Sequence, residues 1–245
     1  MAVVDGSTSK SAMQMEDGVS NGRLAMQLIC QIIGRLPAET DLEGFCTLVT
    51  KEIHTYYDSH GISIERLRNH PEERLTASVA VFSLHHCEIW LVGDCQCITG
   101  GTYHDNPKPE EASIASHRAR LVEAMLADGR ETVSSLRRHD TARDIIVPDI
   151  VKTCHRQNID FAVVDGFEIA RNKIIVIKAD PFSDIVLATD GYPFLYGTLS
   201  ASEEALAAQL SDDPLCIHSY QATKGQMAGN LSFDDRAYLR FRINR

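Results

Sequence analysis

Four short runs in this chain deliver an aspartate at the edge of an apolar, strand-length stretch. They are "AVVDG" at 2–6, "IWLVGD" at 89–94, "DIVLATDG" at 184–191, and "SFDD" at 232–235 just ahead of the alternating "AYLRF". Runs of this kind, rich in Val, Ile, Leu and Phe and closed by Asp-Gly, read as buried strands ending in turns. A fold that uses all four must bring strand ends together, which calls for sheets and not a helical bundle. It also gathers Asp5, Asp94, Asp190 and Asp234 into an all-oxygen set of the kind that suits hard divalent cations. Glycine after the aspartate allows a sharp turn and lets a backbone carbonyl, such as that of Gly6, approach a ligand.

A second "AVVDG" sits at 162–166 inside "FAVVDGFEIA". It lies between two predicted strands, with Phe167 and Ile169 restarting the alternation, and so reads as a hairpin turn and not as part of the acidic set.

Between these runs the period is helical. Leu24, Leu28, Ile29, Ile32 and Ile33 predict a helix from Ser20 to Gly34, and Thr40 with Glu43 forms a capping-box pattern ahead of a second helix through Phe45, Val49, Ile53 and Tyr56. A third is predicted over 111–127, with Ile114, Leu121, Val122 and Met125 on one face. Strands are expected at 78–84, 88–92, 161–164, 173–178, 184–189 and 237–243, and a helix around Ala205, Leu206 and Leu210. Residues 131–158 carry no clear period. With no Pro/Gly/Ser linker and no charge block, the expectation is one domain over 1–245, of α+β class, with helices packed on the faces of a mainly antiparallel sheet system.

The balance of charge, 24 Lys and Arg against 34 Asp and Glu for a formal net charge of −10, argues against a general nucleic-acid binder. No apolar run is long enough to span a membrane, and no secretory leader pattern is visible. Seven cysteines without framework spacing point to free thiols and a cytoplasmic protein. Cys95 and Cys97 beside His85-His86-Cys87 lack a second pair at zinc spacing and read as strand residues. The basic, aromatic C-terminus "RAYLRFRINR" reads as strand packing.

Taken together and in order, "AVVDG", "TASVAVFSLHHCEIWLVGDCQ", "DIVLATDGYPFL" and "SFDDRAYLRF" resemble the motifs of the metal-dependent type 2C protein serine/threonine phosphatases, over nearly the whole chain. The resemblance implies a four-layer α-β-β-α sandwich of two antiparallel sheets flanked by helices, and a metal-dependent phosphomonoesterase acting on phosphoserine or phosphothreonine in a phosphoprotein, with two Mn²⁺ or Mg²⁺ ions activating water. It implies Asp5 as the carboxylate bridging two metals, the Gly6 carbonyl and Asp190 as ligands, Asp234 as a further ligand, and Asp94 at a third, weaker ion. The chain departs from the family pattern in three places. Ser7-Thr8-Ser9-Lys10 stands where the family has Gly-Gly, and Gly93-Asp94-Cys95-Gln96 stands for Gly-Asp-Ser-Arg. The sequence also starts at the Asp5 strand, without the preceding strands that bring a phosphate-gripping arginine and an Asn-Glu-Asp segment. A late-starting reading frame, a reduced but working enzyme and a catalytically inactive pseudophosphatase that binds a partner all fit these departures. Lys10 either supplies the missing positive charge or is a solvated loop lysine. The stretches 99–111 and 131–158 are expected to carry specificity.

Overall fold

Strand β2 (Ala77–Ser83) is buried along its whole length, which requires cover on both faces. Its alternation supplies it: Val79 and Val81 point to one apolar cluster, Ala80 and Phe82 to another. The computed structural model describes residues 1–8, 10–11, 13–15 and 18–244. In it, β2 is the second strand of a four-stranded antiparallel sheet in the order β1 (Ala2–Gly6), β2, β3 (Glu88–Val92), β6 (Ile175–Lys178). The second sheet, also antiparallel, runs β5 (Thr102–His104), β4 (Gln96–Thr99), β7 (Asp184–Ala188), β8 (Tyr238–Arg242).

The two sheets share one interior. Val3, Ala80, Phe82, Ile89 and Leu91 of the first meet Cys97, Ile185 and Leu187 of the second, so Cys97 is interior packing and not a metal ligand. On the outer face of the first sheet, Val79, Val81, Trp90 and Val92 pack against α1 (Asn21–Ile33) and α2 (Leu42–Ser59). The outer side of the second sheet is overlaid by residues 190–198 and α7 (Leu199–Asp212). Gln96 Nε2 donates to the Thr189 and Tyr192 carbonyls (2.8 and 2.9 Å), Tyr238 Oη donates to the Tyr196 carbonyl (3.1 Å), and Glu203 of α7 accepts from Tyr192 and Arg236. The α+β sandwich expected from the sequence is the one observed. The remaining helices are α3 (Ile64–Asn69), α4 (Glu111–Ala127), α5 (Val133–Leu136) and α6 (Thr141–Cys154). Helices α4 and α6 share a small core through Ile114, Ile146 and Ile150. No helix among the described residues is long and apolar enough to cross a membrane.

Three local expectations are corrected. Helix α2 is capped by Asp41, whose carboxylate accepts from Gly44 N at 2.8 Å, and not by Thr40. Glu43, the intended capping-box partner, is instead held by Arg171 at 2.8 and 3.0 Å. Residues 161–164 form no strand; Val164 makes a single antiparallel bridge to Ala77. The β2–β3 pairing ends at Val79 and Val92, just before Gly93 (φ +92°), which leaves Ala77 to Val164. Asp165-Gly166 is therefore no hairpin turn. Gly166 has φ +82° and packs where a Cβ would lie 2.6 Å from the Tyr57 ring.

Candidate active site

Close backbone approach brings the strand-end aspartates together, and glycine permits it at each step. A Cβ on Gly6 would lie 2.1 Å from the Gly22 carbonyl oxygen, so α1 can back against the end of β1 only if Gly6 has no side chain. A Cβ on Gly93 would lie 2.2 Å from Ser78 Oγ, and one on Gly191 would lie 2.1 Å from the Asp235 carbonyl oxygen. Gly191 thereby lets the 234–235 turn sit beside the end of β7.

The result is a cavity of about 120 Å³ lined by all four predicted aspartates, Asp5, Asp94, Asp190 and Asp234, together with Gly6. Its other walls come from Ser7, Thr8 and Lys10, from Lys108 and Glu111 at the start of α4, from Ile150 and Cys154 of α6, and from Lys224. Ser9 lies outside the described residues. Asp165 is elsewhere, as expected.

The four aspartates fall into two kinds. Asp94 is buried and paired with Lys108. Burial pushes its carboxyl up, but the Lys108 ammonium beside it and a hydrogen bond with Ser78 outweigh that and hold it below the usual range. Asp234 is likewise paired with Lys224, which also reaches Thr8 Oγ1 at 3.2 Å. Asp5 and Asp190 have no cation of their own among the described residues. They lie within hydrogen-bonding reach of each other. Two carboxylates are both acceptors, so without a shared proton or a cation that approach is repulsive. Burial, together with the charges of Asp94 and Asp234, raises Asp5 to about 6. Burial and the charges of Asp94 and Asp5 push Asp190 well above the ordinary carboxylate range. Asp190 Oδ1 is buried with no hydrogen-bond partner.

This is the test of whether a divalent cation fits. The donors are hard oxygens, and one of them is orphaned in the interior at a point where two carboxylates converge, so a cation fits at Asp5 and Asp190. With Lys108 and Lys224 in their pairs, no group of three or more His, Cys, Asp or Glu side chains among the described residues is arranged around a common metal position. The lysines stand as the cations at Asp94 and Asp234.

Lysine positions are what the sequence reading missed. Lys108 and Lys224 drew no notice, and Lys10, which could equally have been a solvated loop lysine, faces the cavity. Its ammonium donates to Ser7 Oγ and to the Thr8 carbonyl, the latter at 2.8 Å. Burial and the neighbouring charges of Lys108 and Arg143 lower it to about 8. Glu111, another carboxylate of the cavity lining, is raised by burial. No thiol offers a nucleophile here. Burial first, then the surrounding carboxylates, raises Cys95 well above a thiol's usual value, and burial likewise raises Cys154.

No family model matches the chain, and no curated protein does. Among solved structures it is similar to the S. agalactiae serine/threonine phosphatase, at 12% identity and a TM-score of 0.44 over 100% of this chain and 86% of that one. It is similar to the catalytic domain of the serine threonine protein phosphatase PstP in complex with two manganese ions, at 14% identity and a TM-score of 0.36 over 86% and 83%. A stage II sporulation E family protein from Thermanaerovibrio acidaminovorans gives 15% identity and a TM-score of 0.37 over 85% and 86%. Likenesses this distant do not bear on the chemistry of the cavity, which rests on its own residues.

Proposed function

We propose that this chain is a metal-dependent phosphomonoesterase that hydrolyses phosphoserine or phosphothreonine on a phosphoprotein. The observation that carries the reading is the Asp5–Asp190 pair: two carboxylates side by side, one with a buried, orphaned oxygen, in the lining of a cavity that Lys10, Lys108 and Lys224 also line. Asp5, Asp190 and the Gly6 carbonyl would hold Mn²⁺ or Mg²⁺, and Asp234 and Asp94 would serve as further ligands for a second and third ion only on release of Lys224 and Lys108. Such ions supply Lewis acidity, making water a nucleophile near neutral pH and neutralising charge on phosphate. Phosphate-monoester hydrolysis is among the slowest reactions in water, so charge compensation contributes most of what is needed. The chain's own part is to desolvate the carboxylates, to hold them at fixed positions on strand ends, and to bring ammonium groups to the phosphate side of the cavity. The cysteines, all free, suit a reducing cytoplasm.

One observation favours a second reading, that of an inactive phosphoprotein-binding homologue: Lys108 and Lys224 already neutralise two of the four carboxylates. Hydrolysis of p-nitrophenyl phosphate separates the two. Turnover that requires Mn²⁺ or Mg²⁺ and vanishes in Asp190→Asn is the expected result. A folded protein with no turnover in either metal would leave only the binding reading.

A further inference from the structure

Five basic side chains line the cavity, Lys10, Lys108, Arg143, Arg156 and Lys224, and three of them are spent on carboxylates. Lys108 pairs with Asp94, Lys224 with Asp234, and Arg156 with Asp160 through two bonds of 2.6 and 2.8 Å. Lys10 and Arg143 differ. Among the described residues neither makes an ion pair. Lys10 donates only to the neutral Ser7 Oγ and Thr8 carbonyl, and Arg143 Nη1 donates only to the Thr223 carbonyl (2.6 Å) and Oγ1 (3.4 Å). The Nε and Nη2 donors of Arg143 carry no hydrogen bond among the described residues.

Two cations that repel one another across a partly enclosed cavity cost free energy unless an anion sits between them. Their placement is also built. Arg143 sits in the first turn of α6, whose cap Asp140 accepts from Arg143 N and is itself clamped by the fully buried Arg118. Arg118 further donates to the Leu215 and Ala222 carbonyls, fixing the segment that presents Thr223 to Arg143. Lys10 comes from the stretch after β1, four residues after Gly6, and Lys224, next to Thr223, reaches Thr8 Oγ1 of that stretch. Ile114 and Ile150 provide apolar wall around the same space.

We propose that Lys10 and Arg143 form the phosphate cradle of this cavity, gripping the non-reacting oxygens of the substrate's phosphoryl group while the Asp5–Asp190 pair lines the same space. The assignment deepens the phosphomonoesterase reading and rests on it for the identity of the ligand. The positive charge for phosphate comes from the stretch after β1 and from α6. A guanidinium with two donors to spare suits a tetrahedral dianion, and an ammonium adds a point charge.

The test uses the full chain with inorganic phosphate as the probe, first in EDTA by isothermal titration calorimetry. Wild type binds, and Lys10→Met and Arg143→Met each weaken binding roughly tenfold to a hundredfold, the value of a charge-assisted hydrogen bond. Lys51→Met, on α2 and away from the cavity, does not. In the second arm, with Mn²⁺ and p-nitrophenyl phosphate, both cavity variants raise KM by a similar factor while Lys10→Arg restores most of the loss. Phosphate binding that depends on both residues in a protein without turnover would retain the cradle and remove the enzyme. Turnover whose KM moves less than about twofold in both variants, with phosphate affinity unchanged, would overturn the cradle and leave the enzyme. Failure of the wild type to bind phosphate, with and without Mg²⁺, also overturns it. Should Lys10→Met not fold, acetylation of Lys10 in wild type read by mass spectrometry decides: protection by phosphate supports the cradle, and equal modification refutes it.

Discussion

Val3-Val4-Asp5-Gly6 and Val163-Val164-Asp165-Gly166 are the same four residues in two places, and the protein does opposite things with them. Asp165 is completely buried, and its oxygens are satisfied. Arg74 Nη1 donates to Oδ2 at 2.9 Å, and Asn158 Nδ2 and Phe167 N donate to Oδ1 at 3.0 Å each. Tyr57 Oη donates to its backbone carbonyl at 2.8 Å, and the Arg74 guanidinium lies 3.9 Å over the Phe167 ring. Through its carboxylate and its backbone carbonyl, Asp165 ties Tyr57 of α2, Arg74 ahead of β2 and the 158–167 segment into one unit. Asp5 ends the same tetrapeptide pattern facing another carboxylate. What separates these two aspartates is therefore not the motif but their surroundings: Asp165 is fully buried with its counter-charge supplied by Arg74, whereas Asp5 is only partly buried and faces Asp190.

That difference can be broken or sharpened experimentally. The largest effect is expected at the satisfied carboxylate. Arg74→Met strands a buried charge and should cost about 3–5 kcal/mol in urea denaturation; a loss below about 1 kcal/mol would mean that Asp165 is no such tie. Asp5→Asn should act in the other direction. Because the folded-state pKa of Asp5 is raised to about 6, its contribution to stability is full below about pH 4 and lost as pH rises through 6. The metal-free wild type should thus be less stable at pH 7 than at pH 5, whereas Asp5→Asn should flatten that slope and gain on the order of 1–3 kcal/mol at pH 7 in EDTA. A wild type that is equally stable at both pH values would place the pair's strain in doubt. The smallest effect belongs to Lys224→Met. Its ion pair with Asp234 is partly exposed, so thermal unfolding should move by no more than about 1 kcal/mol equivalent. A larger loss would make that lysine a structural element of the site.

That four aspartates line one cavity is legible in the sequence because Asp5, Asp94 and Asp190 lie at the ends of recognisable strands and Asp234 just ahead of one, and strand ends that converge must bring their side chains along. Helix α4 was equally plain, its apolar stripe running from Glu111 to Ala127 as predicted. The basic half was not legible. Lys108, Arg143 and Lys224 come from loops and a helix start that no period governs, and only the fold decides which carboxylate each one meets. Helix α6 was obscured by Pro148 in its interior, where a missing N–H argues locally for a break. The β4–β5 hairpin was overlooked although its signal was present: Gly100-Gly101, with φ of +55° and +79°, is the two-residue turn such hairpins prefer. Residues 161–164 have strand composition without a strand, because the β2–β3 pairing ends at Val79 and Val92 and leaves only Ala77 to Val164.

The most direct measurement is titration of the metal-stripped chain with Mn²⁺, following free Mn²⁺ by electron paramagnetic resonance, in wild type, Asp190→Asn and Asp165→Asn. The account predicts saturable binding in wild type, weakened at least tenfold to a hundredfold in Asp190→Asn and unchanged in whatever fraction of Asp165→Asn remains folded. Equal Mn²⁺ affinity in wild type and Asp190→Asn, or no binding by the folded wild type, would contradict it.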